Sequence, residues 1–528
     1  VTQTPWLTVL LALPLVGAVL LVALPAPLRA RAREVALAVA VLELAAAVAA
    51  LLAFDTGRAG EHQLVETHAW IPAIGASYAL GVDGVGISLV LMTVVLVPLV
   101  VLAAWREQGA SGAATDRLRT YLALVLALEA AVVGVFAARD LFLFYVLFEA
   151  MLIPVYFMIG SYGGARRQYA AVKFLVYSLV GGLVMLAGVI ALYLAGPGGP
   201  DGFLLDRLVG AELSTTAERV LFCSFFLAFA IKAPMFPVHT WLPDAAEQAP
   251  AGTSTLLVGV LDKVGTFGML TLCLPLFPGA SRWAAPVVVV LAVVSVLYGA
   301  LLAIGQRDLM RLIAYTSVSH FGFIVLGIFA FTSTSVSGSS FYMVNHGLST
   351  GGLFLLAGYL AARRGSQSVD AFGGLQRVVP VLAGLFLVVG LSALSLPGLS
   401  TFVSEFTVIV GAFTRYPAAA VVACLGVVLA AVYVLWTYQR VFTGPVRPGL
   451  ETMRDVSGRE RWAVAPLVVL LLVLGFVPGP ALDLVRPPAE RALAEVGVAD
   501  TAPVAGGGTA APPDTQGTQG TQDGEEDE

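Results

Sequence analysis

With 528 residues, 58% of them hydrophobic and only 12% charged, this chain has too few charges for a soluble protein, whose domains carry about 25%. Its net charge of −5 comes largely from a C-terminal DGEEDE. The rest is close to neutral, which excludes the basic surface that nucleic-acid binding needs. Three cysteines, Cys223, Cys273 and Cys424, are scattered through apolar segments, so no disulfide framework, metal site or iron–sulfur ligand set is expected.

The apolar residues come in runs of about 20, the length of helix that crosses a bilayer core. We therefore expect an all-α integral membrane protein of about fourteen spans. In chain order these are 5–24, 34–54, 80–104, 119–137, 140–160, 170–195, 217–248, 252–276, 284–304, 308–330, 340–361, 379–413, 417–441 and 462–483. The first has no basic region before it and is read as a retained helix, not a cleaved signal. GVDGVG (81–86) opens the third. Its glycine spacing does not suit a dinucleotide fingerprint, and Asp83 suits a helix cap. With both termini outside, eighteen Lys and Arg residues fall in inside loops, eight in outside loops and the tail, and three within apolar segments. That is the asymmetry of the positive-inside rule.

Ionisable residues within a bilayer are costly and usually face a polar interior. Glu129 comes first along the chain. Glu149 follows in LFLFYVLFEAMLIPVYFMIG, about mid-membrane, where a carboxylate needs a partner. Every loop cation is Arg, whereas all three lysines, Lys173, Lys232 and Lys263, lie in apolar segments. Arg keeps its proton in a protein, while a buried Lys can release one. Lys232 and Lys263 are therefore read as proton-exchanging groups, with Lys232 the natural partner of Glu149. Lys173 sits nearer a helix end, where snorkelling competes with that role.

Lys232 opens KAPMFPVHTWLPDAAEQAP, whose prolines must interrupt the helix. A second interruption falls near Ser395–Ser400 in SALSLPGLSTFVSEF, followed by Glu405. Two broken helices at matching places suggest a transporter built from repeats, here two inverted five-helix repeats. Asp262 directly precedes Lys263, yet adjacent helical residues point about 100° apart, so it need not face that lysine. His239, His320 and His346 lie in or beside membrane segments and can relay protons. No two histidines sit four apart on a helix, so no helical metal site is expected. His62 and His68 fall in an outside loop and are read as solvated.

The stretches LFYVLFEAMLIPVYF, KFLVYSLVGGLVML, AFAIKAPMFPVHTWLPDAAEQAP, GTSTLLVGVLDKVGTFG, RLIAYTSVSHFGF and NHGLSTGGLFLLAG resemble the antiporter-like membrane subunits of NADH–quinone oxidoreductase (complex I). The resemblance runs from about Asp83 to about Phe442. Mrp sodium/proton antiporter subunits and membrane subunits of energy-converting hydrogenases share these motifs. Glu405, where L and N types usually carry lysine, and HGLSTGGLFLL (346–356), which lacks the lysine of L types, are similar to the M type. The chain also ends soon after its last span, without the lateral helix of L types.

The resemblance implies an antiporter-like fold and a proton path. Glu149 and Lys232 would be its input pair, Lys263 its central relay, His320 and His346 its links and Glu405 its terminal group. His239 would line the first break. Glu129, Lys173 and Asp262 are further relay candidates, and Asp262 stands where many relatives carry an apolar residue. No cofactor is expected on this chain. FMN, iron–sulfur clusters and quinone would belong to partner subunits, among them L- and N-type neighbours and the peripheral NADH-oxidising arm, with the complex in a bacterial plasma membrane. The expected organisation is N-terminal helices over 1–118, a first repeat over 119–276, a second over 277–442, an inside loop and last helix over 443–498, and a disordered acidic tail over 499–528.

Overall fold

The computed structural model describes residues 4–105 and 112–500. The tail beyond 500, for which disorder is expected, lies outside the described residues, as does Arg106. Helices α1 (Trp6–Ala23) and α2 (Ala32–Ala53) precede a two-stranded antiparallel hairpin, β1 (Gln63–Ile71) and β2 (Ala76–Val82). Then come α3 (Gly84–Ala104), α4 (Gly112–Ala137), α5 (Leu141–Ala150), α6 (Leu152–Tyr162), α7 (Arg167–Ala195) and the one-turn α8 (Leu205–Leu208). The first broken helix is α9 (Thr215–Lys232) with α10 (Trp241–Gln248). Next, α11 (Ala251–Leu256), α12 (Lys263–Gly268) and α13 (Leu274–Leu276) form one rod, joined by π turns at Leu257–Leu261 and Met269–Cys273. The second half holds α14 (Pro278–Ile304), α15 (Leu309–Phe329), α16 (Ser333–Arg364), the broken pair α17 (Pro380–Ala393) and α18 (Ser400–Arg415), α19 (Pro417–Phe442), α20 (Gly458–Phe476) and α21 (Gly479–Val496).

Among the described residues, ten helices are long and apolar enough to cross a membrane, or eleven if α20 and α21, bent by 73°, form one span. The others carry polar cargo or are short. α16 has serines, Asn345 and His346 through its middle, and α17 has only 14 residues. Two sequence expectations are corrected. The third span starts at Gly84, because Ala76–Val82 pairs as a strand. The last span ends at Phe476, where Pro478 and Gly479 turn the chain into α21.

Burial explains which helices carry chemistry. The rod α11–α13 and helix α15 are enclosed almost all round, whereas α1, α2, α7, α14 and α19 leave an apolar face outward, with Leu52 83% and Leu194 77% exposed. Small residues bring enclosed helices close. A Cβ on Gly322 would lie 2.6 Å from the Ala292 carbonyl oxygen, so α15 meets α14 backbone to backbone there.

Outside the spanning segments, the hairpin is tied to α21. Asp83 caps α3 by accepting from the amides of Val85 (3.0 Å) and Gly86 (2.9 Å), as its sequence position suggests, and it also pairs with Arg491 at 3.2 Å. His68 is exposed. His62 is not the solvated residue expected. Its ring nitrogens meet Arg139 at 2.7 Å and Arg491 at 3.2 Å. Burial, then Arg139 and Arg491, push its pKa from 6.5 down to about 2. The folded state therefore keeps His62 neutral while the unfolded chain protonates near 6.5. Its contribution to stability is complete above that pH and is lost as pH falls toward about 2. Thermal unfolding of the purified protein should show this. Wild type loses stability on acidification to about pH 5, and His62→Gln, which cannot titrate, loses less.

Candidate functional site

The first cluster forms where α9 breaks. Pro234 and Pro237 end the helix just past Lys232, and neighbours satisfy the freed backbone groups. Trp241 Nε1 donates to the Ile231 carbonyl at 2.9 Å, and Phe236 N donates to Ser295 Oγ at 2.9 Å. Lys232 is 1% exposed, and its Nζ has no hydrogen-bond partner among the described residues. The rings of Phe148 and Phe174 lie 4.8 and 5.7 Å from Nζ. Glu149, near the end of α5, acts on its charge electrostatically, but the two form no direct ion pair among the described residues. Glu149 is half-buried against a notch at Gly182, where a Cβ would sit 1.7 Å from Oε1. The glycine makes the room that the carboxylate occupies.

The second cluster lies between the rod and α16. Lys263 is fully buried. Its Nζ donates to the Val258 carbonyl at 2.5 Å, in the first π turn, and meets His346 Nδ1 at 2.6 Å. With Lys263 as donor, His346 carries its own proton on Nε2. The His346 and His320 rings stand 5.2 Å apart, edge to face. His320 Nε2 lies 3.1 Å from the Ala393 carbonyl, which the break after α17 leaves free, and 3.3 Å from Tyr433 Oη.

The third cluster is the second break. Ser395 takes a left-handed backbone (φ 58°) and donates its hydroxyl to Glu405 Oε2, which also accepts from Tyr342 Oη at 2.9 Å. Tyr342 lies one turn before His346 on α16, so the two share a face. Asn345 Nδ2 ties α16 to the start of α18 through the Ser400 carbonyl (3.0 Å) and Ser404 Oγ (3.1 Å).

The structure thus aligns Glu149, Lys232, Lys263, His346, His320 and Glu405, with Asp262 beside Lys263. Three other candidates lie apart. His239 sits in the first break with neither ring nitrogen hydrogen-bonded among the described residues, its ring 5.2 Å from Tyr298. Lys173 is held in an ion cluster, 2.6 Å from Asp244, which Arg311 also meets at 2.6 Å. Glu129 is enclosed with Glu43 of α2 as its charged neighbour.

Sequence reasoning missed Glu43, Tyr342 and Tyr433, and it named Ser395 only as the place of the second break. Glu43 carried a usable signal, as a lone charge in LAVAVLELAAAVAALLA. Tyr342 could have been found from its spacing of four to His346. Among the described residues, no three His, Cys, Asp or Glu side chains converge as metal ligands.

A row of acids, lysines and histidines, all buried except the half-buried Glu149 and threaded through two broken helices, defines a membrane protein of the antiporter type. The family model described as NADH:quinone oxidoreductase/Mrp antiporter, transmembrane, matches residues 138–430. Within it, the chain belongs to the subunit M family of NADH-quinone oxidoreductase. It is 48% identical to subunit M of Mycobacterium tuberculosis, covering 95% of this chain and 96% of that protein. It is 39% identical to subunit M of Rhodobacter capsulatus, covering 86% and 89%. Among solved structures, a chain of respiratory complex I from Thermus thermophilus with bound NADH superposes with a TM-score of 0.83 at 35% identity, covering 93% of this chain and all of that one. A chain of the Mrp complex from Dietzia sp. gives 0.84 at 25% identity, covering 94% and 100%.

Proposed function

We propose that this chain is a proton-translocating membrane subunit of an NADH–quinone oxidoreductase, carrying protons along Glu149, Lys232, Lys263, His346, His320 and Glu405. The observation that carries this reading is the buried row itself, with Lys263 in direct contact with His346 at 2.6 Å. Each member is a group that can gain and release a proton, and loop positions use Arg, which cannot. In this reading, events elsewhere in the complex loosen the Glu149–Lys232 pair. Lys232 then gives up its proton, and the charge moves through Lys263 toward Glu405 and the outside. Moving one charge across the membrane costs about 2.3 kcal/mol per 100 mV, so the energy must come from redox chemistry. FMN, iron–sulfur clusters and quinone would sit on partner subunits, and L- and N-type subunits would be the membrane neighbours.

The same reading gives the chain fourteen spans. They are the ten long apolar helices, α20, α16 and the two broken pairs. Helices four to eight and nine to thirteen then form inverted repeats, with both termini outside a bacterial plasma membrane. His239, Lys173 and Glu129 take supporting places beside the row.

A sodium/proton antiporter subunit of the Mrp type is the second reading, favoured by the superposition on the Dietzia complex. Glu405 at the second break and the higher identity to the subunit M chains favour the first. A native gel of membranes separates them. We expect NADH-dependent dehydrogenase staining in the band that contains this chain. A band that does not stain, and whose protein exchanges sodium for protons without NADH, would establish the second reading instead.

A further inference from the structure

We propose that Asp262 is a proton carrier between Lys232 and Lys263, a step that rests on the proton-pumping reading above. Asp262 is fully buried, and neither carboxyl oxygen has a hydrogen-bond partner among the described residues. An enclosed, unpartnered carboxyl is costly, so its placement needs a reason.

The local geometry supplies one. Asp262, the helical residue just before α12, and Gly265 are three residues apart, hence on one face. That face presses on the end of α9. A Cβ at Gly265 would lie 2.5 Å from both Ala233 N and the Phe229 carbonyl oxygen, in the turn that contains Lys232. Asp262 therefore faces the helix end that bears Lys232. Lys263, turned by about 100°, faces away to His346. Two consecutive residues thus address the two clusters separately.

The charges agree with this placement. Lys263 and Lys232 are the charged neighbours of Asp262, and Glu149 and Asp262 are those of Lys232. Along the row acid and base alternate through Glu149, Lys232, Asp262 and Lys263.

The transfer balances in three steps. Lys263 first passes an N–H proton to His346 Nδ1 and becomes a neutral amine. The Lys232 ammonium, which has no hydrogen-bond partner among the described residues in the resting arrangement, then swings to the Asp262 carboxylate and protonates it, breaking an N–H bond and forming an O–H bond. The carboxylic acid gives that proton to the Lys263 amine, restoring the carboxylate and the ammonium. One proton has moved from Lys232 to His346.

The test uses the assembled complex in inverted membrane vesicles, with NADH oxidation and proton uptake read together. Three variants, Asp262→Asn, Asp262→Leu and Asp262→Glu, are compared with Lys263→Met. Asparagine keeps the shape and polarity of Asp262 but carries no proton. We expect Asp262→Asn and Asp262→Leu to assemble on a native gel and to lose proton uptake per NADH by on the order of 10²-fold, and Asp262→Glu to restore it. Wild-type uptake in Asp262→Asn overturns the proposal even where the leucine variant fails to assemble, because the residue then acts by shape alone. Loss in Lys263→Met together with wild-type uptake in Asp262→Asn removes the Asp262 step and leaves the pumping reading standing. Wild-type uptake in Lys263→Met removes that reading as well.

Discussion

Replacing Lys232 with arginine should abolish NADH-driven proton pumping while leaving the complex assembled. Arginine keeps the positive charge beside Glu149 and can stack on Phe148 and Phe174, which flank Nζ at 4.8 and 5.7 Å. If Lys232 served only as one half of a structural ion pair, Lys232→Arg would work. The guanidinium holds its proton far too tightly to pass it on, so a carrier is lost although the charge is kept. Alanine is a poorer probe, because it strands Glu149 and confounds assembly with transport. The expected fall in proton uptake per NADH is on the order of 10²-fold, the scale of a lost acid–base group. Dye-quenching in inverted vesicles measures it, with the native-gel band as the control for assembly. Uptake near the wild-type level would refute the row as a proton path.

Glu405→Gln should have an effect of similar size at the opposite end. Glu405 Oε2 accepts from Tyr342 at 2.9 Å and from Ser395. A glutamine oxygen can accept both bonds, so the second break should stay formed. The amide cannot bind and release a proton, and its added N–H₂ must find acceptors in a fully enclosed site, at about 1–3 kcal/mol if it finds none. We expect pumping to fall by on the order of 10²-fold. Glu405→Asp, which keeps the acid one methylene shorter, should recover part of it. If the glutamine variant pumped normally, Glu405 would be a hydrogen-bonding strut and the outlet would lie elsewhere.

Much of this architecture is legible in the amino-acid sequence, for physical reasons. Apolar runs announce membrane helices because nothing else can satisfy the backbone in lipid. Pro234 with Pro237, and Pro397 with Gly398, announce breaks, whereas the single Pro14, Pro98 and Pro286 sit inside unbroken helices, and Lys232 and Glu405 stand out because the bilayer makes an unexplained charge expensive. The hairpin Gln63–Val82 is hidden because it lies outside lipid, where that constraint lapses. Lys173 looks like a membrane lysine, but its ion cluster with Asp244 and Arg311 is brought together from distant parts of the chain. Glu129 shows itself as a lone acid, while its neighbour Glu43 depends on how α2 packs against α4. The direction in which Asp262 points is illegible for another reason. Periodicity assumes uniform turns, and the turn just before Asp262 is not uniform.

That wide turn, Leu257–Leu261, has an evolutionary implication. Deleting any one of its residues would yield a plainer and more regular α-helix, still apolar and still able to cross the bilayer. A turn that holds one surplus residue lets the helix resume its phase beyond it, so such a deletion would leave Asp262 and Lys263 near their present faces. What it would remove is the wide turn itself, whose Val258 carbonyl accepts from Lys263. The surplus residue serves that carbonyl and not the crossing of the bilayer.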